Sequence, residues 1–313
     1  MRPPFAPRFL FLLCVMFVAA CGRPDHRDLA AETRFELAHS HGRYVEVNGL
    51  DTFVISEGEG PDIVLVHGNP SSSYTWRSLI EPLSRDHRVH ALDLPGYGFS
   101  EKPADAPYTD TWMAGHIAAY LRGAGIESAI VIGNSMGGEV ASELAAVYPR
   151  ATRGLILIAP AGLKTDAPDE RPLAMRIASY PVARRILPYL PLRSVFASTL
   201  RDAYYDPSLV TDADVDAYYA PARSRNGLIA FLARMHRDPN LDRTSLVRTI
   251  RAPTLVILGE LDRLVPLSVG RRYGELIPDS RVVVIEKGGH VPQEERPEAV
   301  LQVIEDWLRR LER

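Results

Sequence analysis

Two apolar patterns run along the chain. Over residues 43–58, RYVEVNGLDTFVISEG, apolar and polar residues alternate around Asn48-Gly49. A period of two marks strands with one buried face, and Asn-Gly between two such runs predicts a hairpin. The second pattern is continuous. DIVLVHG, RVHALDLPG, AIVIGNS, GLILIAPAG, TLVILGE and RVVVIEKGG are rich in Val, Ile and Leu and are punctuated by Gly or Pro. Strands buried on both faces read this way, as in parallel sheets. Helical stretches lie between them. SSYTWRSLIEPLS follows the first run, TDTWMAGHIAAYLRGAG precedes the third, and MGGEVASELAAVYP follows it. The last helix, PEAVLQVIEDWLRRLER, has Pro297 near its start and basic residues in its final turn, as the helix dipole favours. Strands alternating with helices predict a doubly wound α/β fold with a mostly parallel sheet.

Two stretches depart from the alternation. From Leu163 to Arg251 there is no buried-strand run, and the segment reads as short helices cut by Pro181, Pro188, Pro191, Pro207 and Pro221. Such an insertion between sheet strands, on the side where strand ends form sites, predicts a helical cap. Its part RPLAMRIASYPVARRILPYLPLRSVF mixes apolar residues with Arg. That suits amphipathic helices with Arg outward, or a surface that meets lipid or an apolar substrate. At the other departure, Arg2 and Arg8 precede FLFLLCVMFVAA, shorter than the roughly 20 residues of a membrane span. The run ends in VAAC, which resembles the lipobox of bacterial lipoproteins. The resemblance implies a lipidated Cys21 and attachment to the bacterial cell envelope, at the outer membrane or the periplasmic face. An ordinary secretory signal, giving a secreted or periplasmic protein, is the alternative. Cys14 would leave with the signal, so the mature chain would have one Cys and no internal disulfide. The expected organisation is a signal over 1–21, a tether over 22–42, core over 43–162, cap over 163–251 and core again over 252–313.

Composition narrows the classes. A chain of 313 residues can hold a large core with an insertion. A net charge of -3, with no basic stripe interleaved with aromatics, argues against a nucleic-acid partner. No metal-ligand cluster or phosphate-cradling loop appears, so no metal or cofactor is expected. The sequence does not indicate an oligomeric state.

The chemistry centres on AIVIGNSMGGEVASELA, residues 129–145. Gly133-Asn134-Ser135-Met136-Gly137 matches Gly-x-Ser-x-Gly between a strand and an Ala-rich helix. A turn this tight crowds the backbone, so Gly133, Gly137 and Gly138 supply the missing side chains. Ser135 is then held at a helix N-terminus, where the dipole favours a developing negative charge. A nucleophilic Ser needs a base and an acid. Asp262 follows one buried run and His290 the next. The order Ser, Asp, His is that of the α/β-hydrolase superfamily, which the chain resembles from about Arg43 to its end. The resemblance implies an α/β-hydrolase fold with a Ser135–His290–Asp262 triad. Glu260 and Asp166 are alternative acids, and Asp166 follows GLILIAP, where some members carry theirs. The family's oxyanion hole implies backbone N–H groups at Asn69 and Met136. His67 is expected to order the loop, and Asp93 and Ser100 in LDLPGYGFS to tie loops down.

The loop HGNPSSSYTW, residues 67–76, is similar to that of haloalkane dehalogenases. Their chemistry needs a carboxylate nucleophile, because the alkyl-enzyme ester is cleaved at its carbonyl. Ser135 would leave an ether, so dehalogenation and epoxide hydrolysis are both excluded. A Ser nucleophile means attack on a carbonyl. The expectation is a carboxylic-ester hydrolase, esterase- or lipase-like, acting on a small-molecule ester with an apolar acyl group. The alternative is carbon–carbon bond hydrolysis, since GNSMGG and LILIAPAGL resemble meta-cleavage-product hydrolases. Those enzymes usually carry Trp after the His, where Val291 stands here. A third reading is a non-catalytic binding protein on the same fold.

Overall fold

The computed structural model describes residues 42–164, 180, 187, 192–235 and 243–311. Cys21, the proposed signal, nearly all of the tether and Asp166 lie outside the described residues. The chain opens with β1 (Gly42–Val47) and β2 (Leu50–Glu57), joined as an antiparallel hairpin in which Val47 pairs with Leu50. Asn48 and Gly49 both have positive φ, 52° and 76°, as a two-residue hairpin turn of this hand requires. Then follow β3 (Asp62–Val66), a 3-10 turn (Ser73–Trp76), α1 (Arg77–Leu83), β4 (Arg88–Leu92), α2 (Asp110–Gly123), β5 (Ala129–Asn134), α3 (Met136–Val147) and β6 (Thr152–Ile158). After β6 come α4 (Arg193–Ala203), α5 (Asp212–Ala222) and α6 (Arg225–Met235). The chain ends with β7 (Thr254–Gly259), α7 (Leu267–Leu276), β8 (Ser280–Ile285), a turn at Pro292–Glu295 and α8 (Pro297–Leu311).

The eight strands form one sheet in the order β1-β2-β4-β3-β5-β6-β7-β8. β1, β2 and β4 pair antiparallel, and every pair from β4 to β8 is parallel. This is the mostly parallel, doubly wound sheet expected. Alternate strand residues feed two apolar layers. Val64, Val131 and Val256 join Met113 of α2, Val140 of α3 and Tyr273 of α7. Leu65, Ile132 and Ile257 join Leu79 of α1 and Val300, Ile304 and Trp307 of α8 on the opposite face. The spacing of Val300, Ile304, Trp307 and Leu308 is one stripe of a helix, which is why α8 lies flat on the sheet.

One expectation fails at the edge. RVVVIEKGG reads as a strand buried on both faces, yet Val282 and Val284 of β8 are 37% and 39% exposed. β8 is the last strand of the sheet among the described residues, so none of them pairs beyond it and its outer face is only partly covered.

Among the described residues no strand lies between β6 and β7, and that block holds α4, α5 and α6. Val247 and Ile250, just before β7, are buried in the layer of α2 and α3. Two buried arginines pin this block. Arg234 of α6 pairs with Asp110 at 2.6 Å and with Glu139 at 3.2 Å, and Arg243 pairs with Asp110 and with Glu143 at 2.5 Å.

Candidate active site

β5 runs straight into α3, and Ser135 sits at the junction with φ 55° and ψ -117°. A non-glycine residue in that region is strained, and it holds only where its surroundings over-determine it. The surroundings do so here. A methyl group at Gly137 would lie 2.1 Å from the Val66 carbonyl oxygen, and one at Gly133 would lie 2.3 Å from that of Gly137. The Ser135 N–H donates to Ile158 O at 3.0 Å, and its carbonyl accepts from Gly138 and Glu139 of the first helical turn. Met136 is the first residue of α3, and the leading N–H groups of a helix have no partner within it.

His290 follows β8 on a loop held from several sides. Its N–H donates to Ala203 O at the end of α4, 2.6 Å, and its carbonyl accepts from Asn134 Nδ2 at 3.2 Å. The Gly289 N–H donates to Glu295 Oε2 at 2.8 Å. The imidazole Nδ1 lies 2.7 Å from Asp262 Oδ2. The other Asp262 oxygen accepts the N–H groups of Leu264 and Val265, each at 2.8 Å. Both carboxylate oxygens are therefore committed, one to the ring and one to the loop. Glu260 goes elsewhere, since its Oε2 accepts the exposed Lys287 N–H at 2.8 Å. Of the acids weighed from sequence, Asp262 is the one brought to His290, Glu260 is not, and Asp166 lies outside the described residues.

Ser135 and His290 line one cavity of about 320 Å³, together with Gly68 and Asn69 from the loop after β3. A methyl group at Gly68 would lie 3.2 Å from Ser135 Cβ, so this loop packs against Ser135. His67 is fully buried, and burial holds its imidazole below the ordinary histidine range. Its Nδ1–H donates to Gly68 O at 2.8 Å and its Nε2 accepts from Leu94 N–H at 3.0 Å. It is thus a neutral brace for the loop and has no free nitrogen. Asp93 accepts from Ser73 and Phe99 N–H groups, and Ser100 bridges Asp93 O to Phe53 N–H. Both tie loops together. The Asn69 amide faces the cavity with little to hold it. Its Nδ2 has a 3.8 Å contact to Met235 Sδ, and its Oδ1 has no hydrogen-bond partner among the described residues.

The cavity walls come largely from the inserted helices. Leu192, Val195, Phe196 and Leu200 flank α4 or lie on it, Tyr218 comes from α5 and Phe231 from α6. No Arg, Lys, Asp or Glu is among its described lining residues. Tyr218 keeps its proton, because burial, then the nearby Glu294 carboxylate, pushes its phenol well above the usual range. Sequence reasoning left the facing of the inserted helices unread, and it missed the buried acid Glu294 beyond His290. Its partners lie between 76 and 219 residues away, and no local pattern signals them. Among the described residues no group of three or more His, Cys, Asp or Glu could hold a metal ion.

The chain is similar along most of its length to known proteins. The model of the alpha/beta hydrolase fold matches residues 61–297. The chain is 30% identical over 279 residues to a 2-hydroxy-6-oxo-2,4-heptadienoate hydrolase of Pseudomonas putida, which covers 85% of this chain and 96% of that one. It is 29% identical over 258 residues to a pimeloyl-[acyl-carrier protein] methyl ester esterase of Aeromonas hydrophila, covering 80% and 96%. Among solved structures, a membrane phospholipase A superposes with a TM-score of 0.78 at 27% identity, covering 97% of this chain and 99% of that one. The extent of these matches, on a chain already folded around a serine elbow, makes this protein a hydrolase of the alpha/beta hydrolase family.

Proposed function

We propose that the protein is a serine hydrolase that cleaves carboxylic esters with an uncharged, apolar acyl group. The observation that carries this reading is the cavity over Ser135, whose described lining holds no formally charged side chain apart from what His290 gains by protonation. In the proposed cycle His290 takes the Ser135 proton and Ser135 Oγ attacks the ester carbonyl. The N–H groups of Met136 and Asn69 receive the oxyanion. His290 returns the proton to the departing alcohol, and water clears the acyl-enzyme by the same path. Asp262 holds the imidazole with Nδ1–H inward, so that Nε2 is left to act as base.

The Pseudomonas putida relative takes a dienoate, which carries a carboxylate, and its similarity favours carbon–carbon hydrolysis as a second reading. A cationic partner for that carboxylate is missing from the described lining. Of the described arginines of the inserted block, Arg193 pairs with Asp212 and Asp216 and Arg234 with Asp110 and Glu139, and none is among the lining residues. The esterase and the phospholipase among the similar proteins accord with ester cleavage. A panel of nitrophenyl esters of rising chain length, run beside one ring-fission dienoate, tests the choice. The expected result is a kcat/KM for the best ester at least about 100-fold above that for the dienoate, roughly 2.7 kcal/mol of transition-state preference. The reverse order overturns it.

We further propose that Cys21 carries a lipid that tethers the enzyme to the cell envelope. The support is the VAAC sequence after a short apolar run. No described helix is long and apolar enough to cross a membrane. Loss of acyl labelling in cells on Cys21→Ser is expected, and unchanged labelling refutes the anchor.

A further inference from the structure

Four residues past His290, the side chain of Glu294 is completely buried. It sits in the turn Pro292–Glu295 and collects donors from three separate parts of the chain. Thr75 Oγ1 donates to Oε1 at 2.6 Å and Arg77 Nη1 to Oε2 at 2.5 Å, both from the segment leading from the Asn69 loop into α1. Tyr204 at the end of α4 donates to Oε2 at 3.1 Å, and Tyr218 of α5 donates to Oε1. Gln293 Nε2 donates to the same Thr75 hydroxyl at 2.9 Å. Arg77 then bridges onward. Its Nη2 pairs with Asp214 Oδ1 at 2.9 Å, an oxygen that also accepts from Tyr74.

A buried carboxylate is costly to desolvate, and that cost is offset only by several well-placed donors. Here the donors come from the oxyanion-side loop and from two of the inserted helices, while the carboxylate itself rides on the histidine loop. Removing any one of these parts leaves the charge under-satisfied, so all of them are held in one arrangement. The neighbouring Glu295 repeats the device on the backbone. It accepts from Gly289 N–H at 2.8 Å, from Tyr205 N–H at 3.0 Å and from Asp206 N–H at 2.7 Å, where the chain leaves α4.

We infer that Glu294 is a positioning residue that locks the inserted helices and the Asn69 loop to the loop carrying His290. It touches neither the cavity nor the reacting atoms. The inference rests on Ser135 and His290 having the roles proposed above. Reacting groups must be held to within about 0.5 Å of their productive placement, so a slackened lock lowers turnover more than it lowers affinity. Tyr218 connects this lock to the cavity wall, since its ring lines the cavity while its hydroxyl serves Glu294.

Glu294→Gln keeps the shape but turns one acceptor into a donor facing donors. The test uses the full chain and a fluorophosphonate that reacts with Ser135, together with kcat and KM for the best nitrophenyl ester. The expected result is labelling slowed roughly tenfold or more and kcat lowered in parallel, with KM within about threefold and cooperative thermal unfolding retained. Labelling and kcat within about twofold of the parent overturn the inference and leave Glu294 as a packing residue. Should Glu294→Gln fail to fold, Thr75→Val decides, because it keeps the carboxylate and removes one of its donors on the Asn69 side, together with the acceptor of Gln293 Nε2. Labelling slowed about threefold or more supports the lock, and an unchanged rate overturns it. The arms separate the two claims. A parent protein that labels at Ser135 but cleaves no ester defeats the ester reading, and the labelling rates still decide the role of Glu294. A parent that does not label at Ser135 defeats both.

Discussion

Replacing Asp262 with Asn isolates one proton. The side chain is held at three points: Oδ1 by the N–H groups of Leu264 and Val265, and Oδ2 by His290 Nδ1. In Asp262→Asn the amide oxygen must keep the two backbone N–H groups, because turning the NH2 toward them would set donors against donors. The NH2 is then forced to face His290 Nδ1, and that nitrogen must become an acceptor. The ring proton moves to Nε2, the atom that accepts the Ser135 proton in the proposed cycle. The geometry survives while the tautomer is wrong. In serine hydrolases of this type such a change costs about 10⁴ in kcat, or about 5 kcal/mol. KM should change little, since Asp262 does not line the cavity. The fold should lose only about 1–2 kcal/mol from one charge-assisted hydrogen bond. Turnover of a nitrophenyl ester measures the effect, with thermal unfolding as a check on integrity. Glu260→Gln is the control and should be silent, because that carboxylate serves Lys287 N–H. A loss of less than about tenfold in Asp262→Asn would show that His290 does not depend on this acid and refute the reasoning.

Three other perturbations read other parts of the account. Gly137→Ala puts a methyl group 2.1 Å from Val66 O and 2.5 Å from His67 O, both backbone atoms that cannot turn away. It should destabilise by about 3 kcal/mol or more, and a melting temperature within about 2 °C of the parent would contradict the packing of the elbow. Phe231 lies on the wall shared by the main cavity and a small adjoining space lined by Gly96 and Pro221. Phe231→Ala should join the two and move the best ester to longer acyl chains, and an unshifted chain-length profile counts against that wall. Burial pushes the His116 imidazole down to about 4, from about 6.5 when unfolded. The unfolded chain therefore takes up the proton first as pH falls. Stability is full above about 6.5, is lost progressively down to about 4, and at pH 5 is lower by about 2 kcal/mol from this group. Urea unfolding at pH 7 and pH 5 should show that His116→Gln loses less stability than the parent by about this amount, and equal losses would refute the assignment.

The sequence was most legible where one local rule sufficed. Asn48-Gly49 announced its hairpin because few other pairs adopt two positive φ values in succession. The serine elbow announced itself through glycines that a Cβ would drive into the backbone. The strands of the sheet centre were equally plain, since burial on both faces leaves them almost wholly apolar, with exceptions such as His90 in β4. β8 misled for the complementary reason: its Val-rich run resembles an interior strand, but its place in the sheet is fixed by pairing order, which composition does not encode. The choice between Glu260 and Asp262 depended on the turn after β7, which sends residues two apart to Lys287 and to His290. The Glu294 cluster was invisible for a further reason. It joins Thr75, Arg77, Tyr204 and Tyr218, four ordinary residues that become a unit only when the inserted helices fold back onto the sheet.

The central claim is that Ser135 attacks an ester carbonyl and carries the acyl group. Mixing the protein with an excess of a slowly hydrolysed nitrophenyl ester, quenching in acid and mapping peptides by mass spectrometry tests it directly. The account predicts the acyl mass on the peptide containing Ser135, formed in a burst together with nitrophenol and absent from Ser135→Ala. Full nitrophenol release by Ser135→Ala, or an acyl group found on some other residue of the active protein, would contradict it.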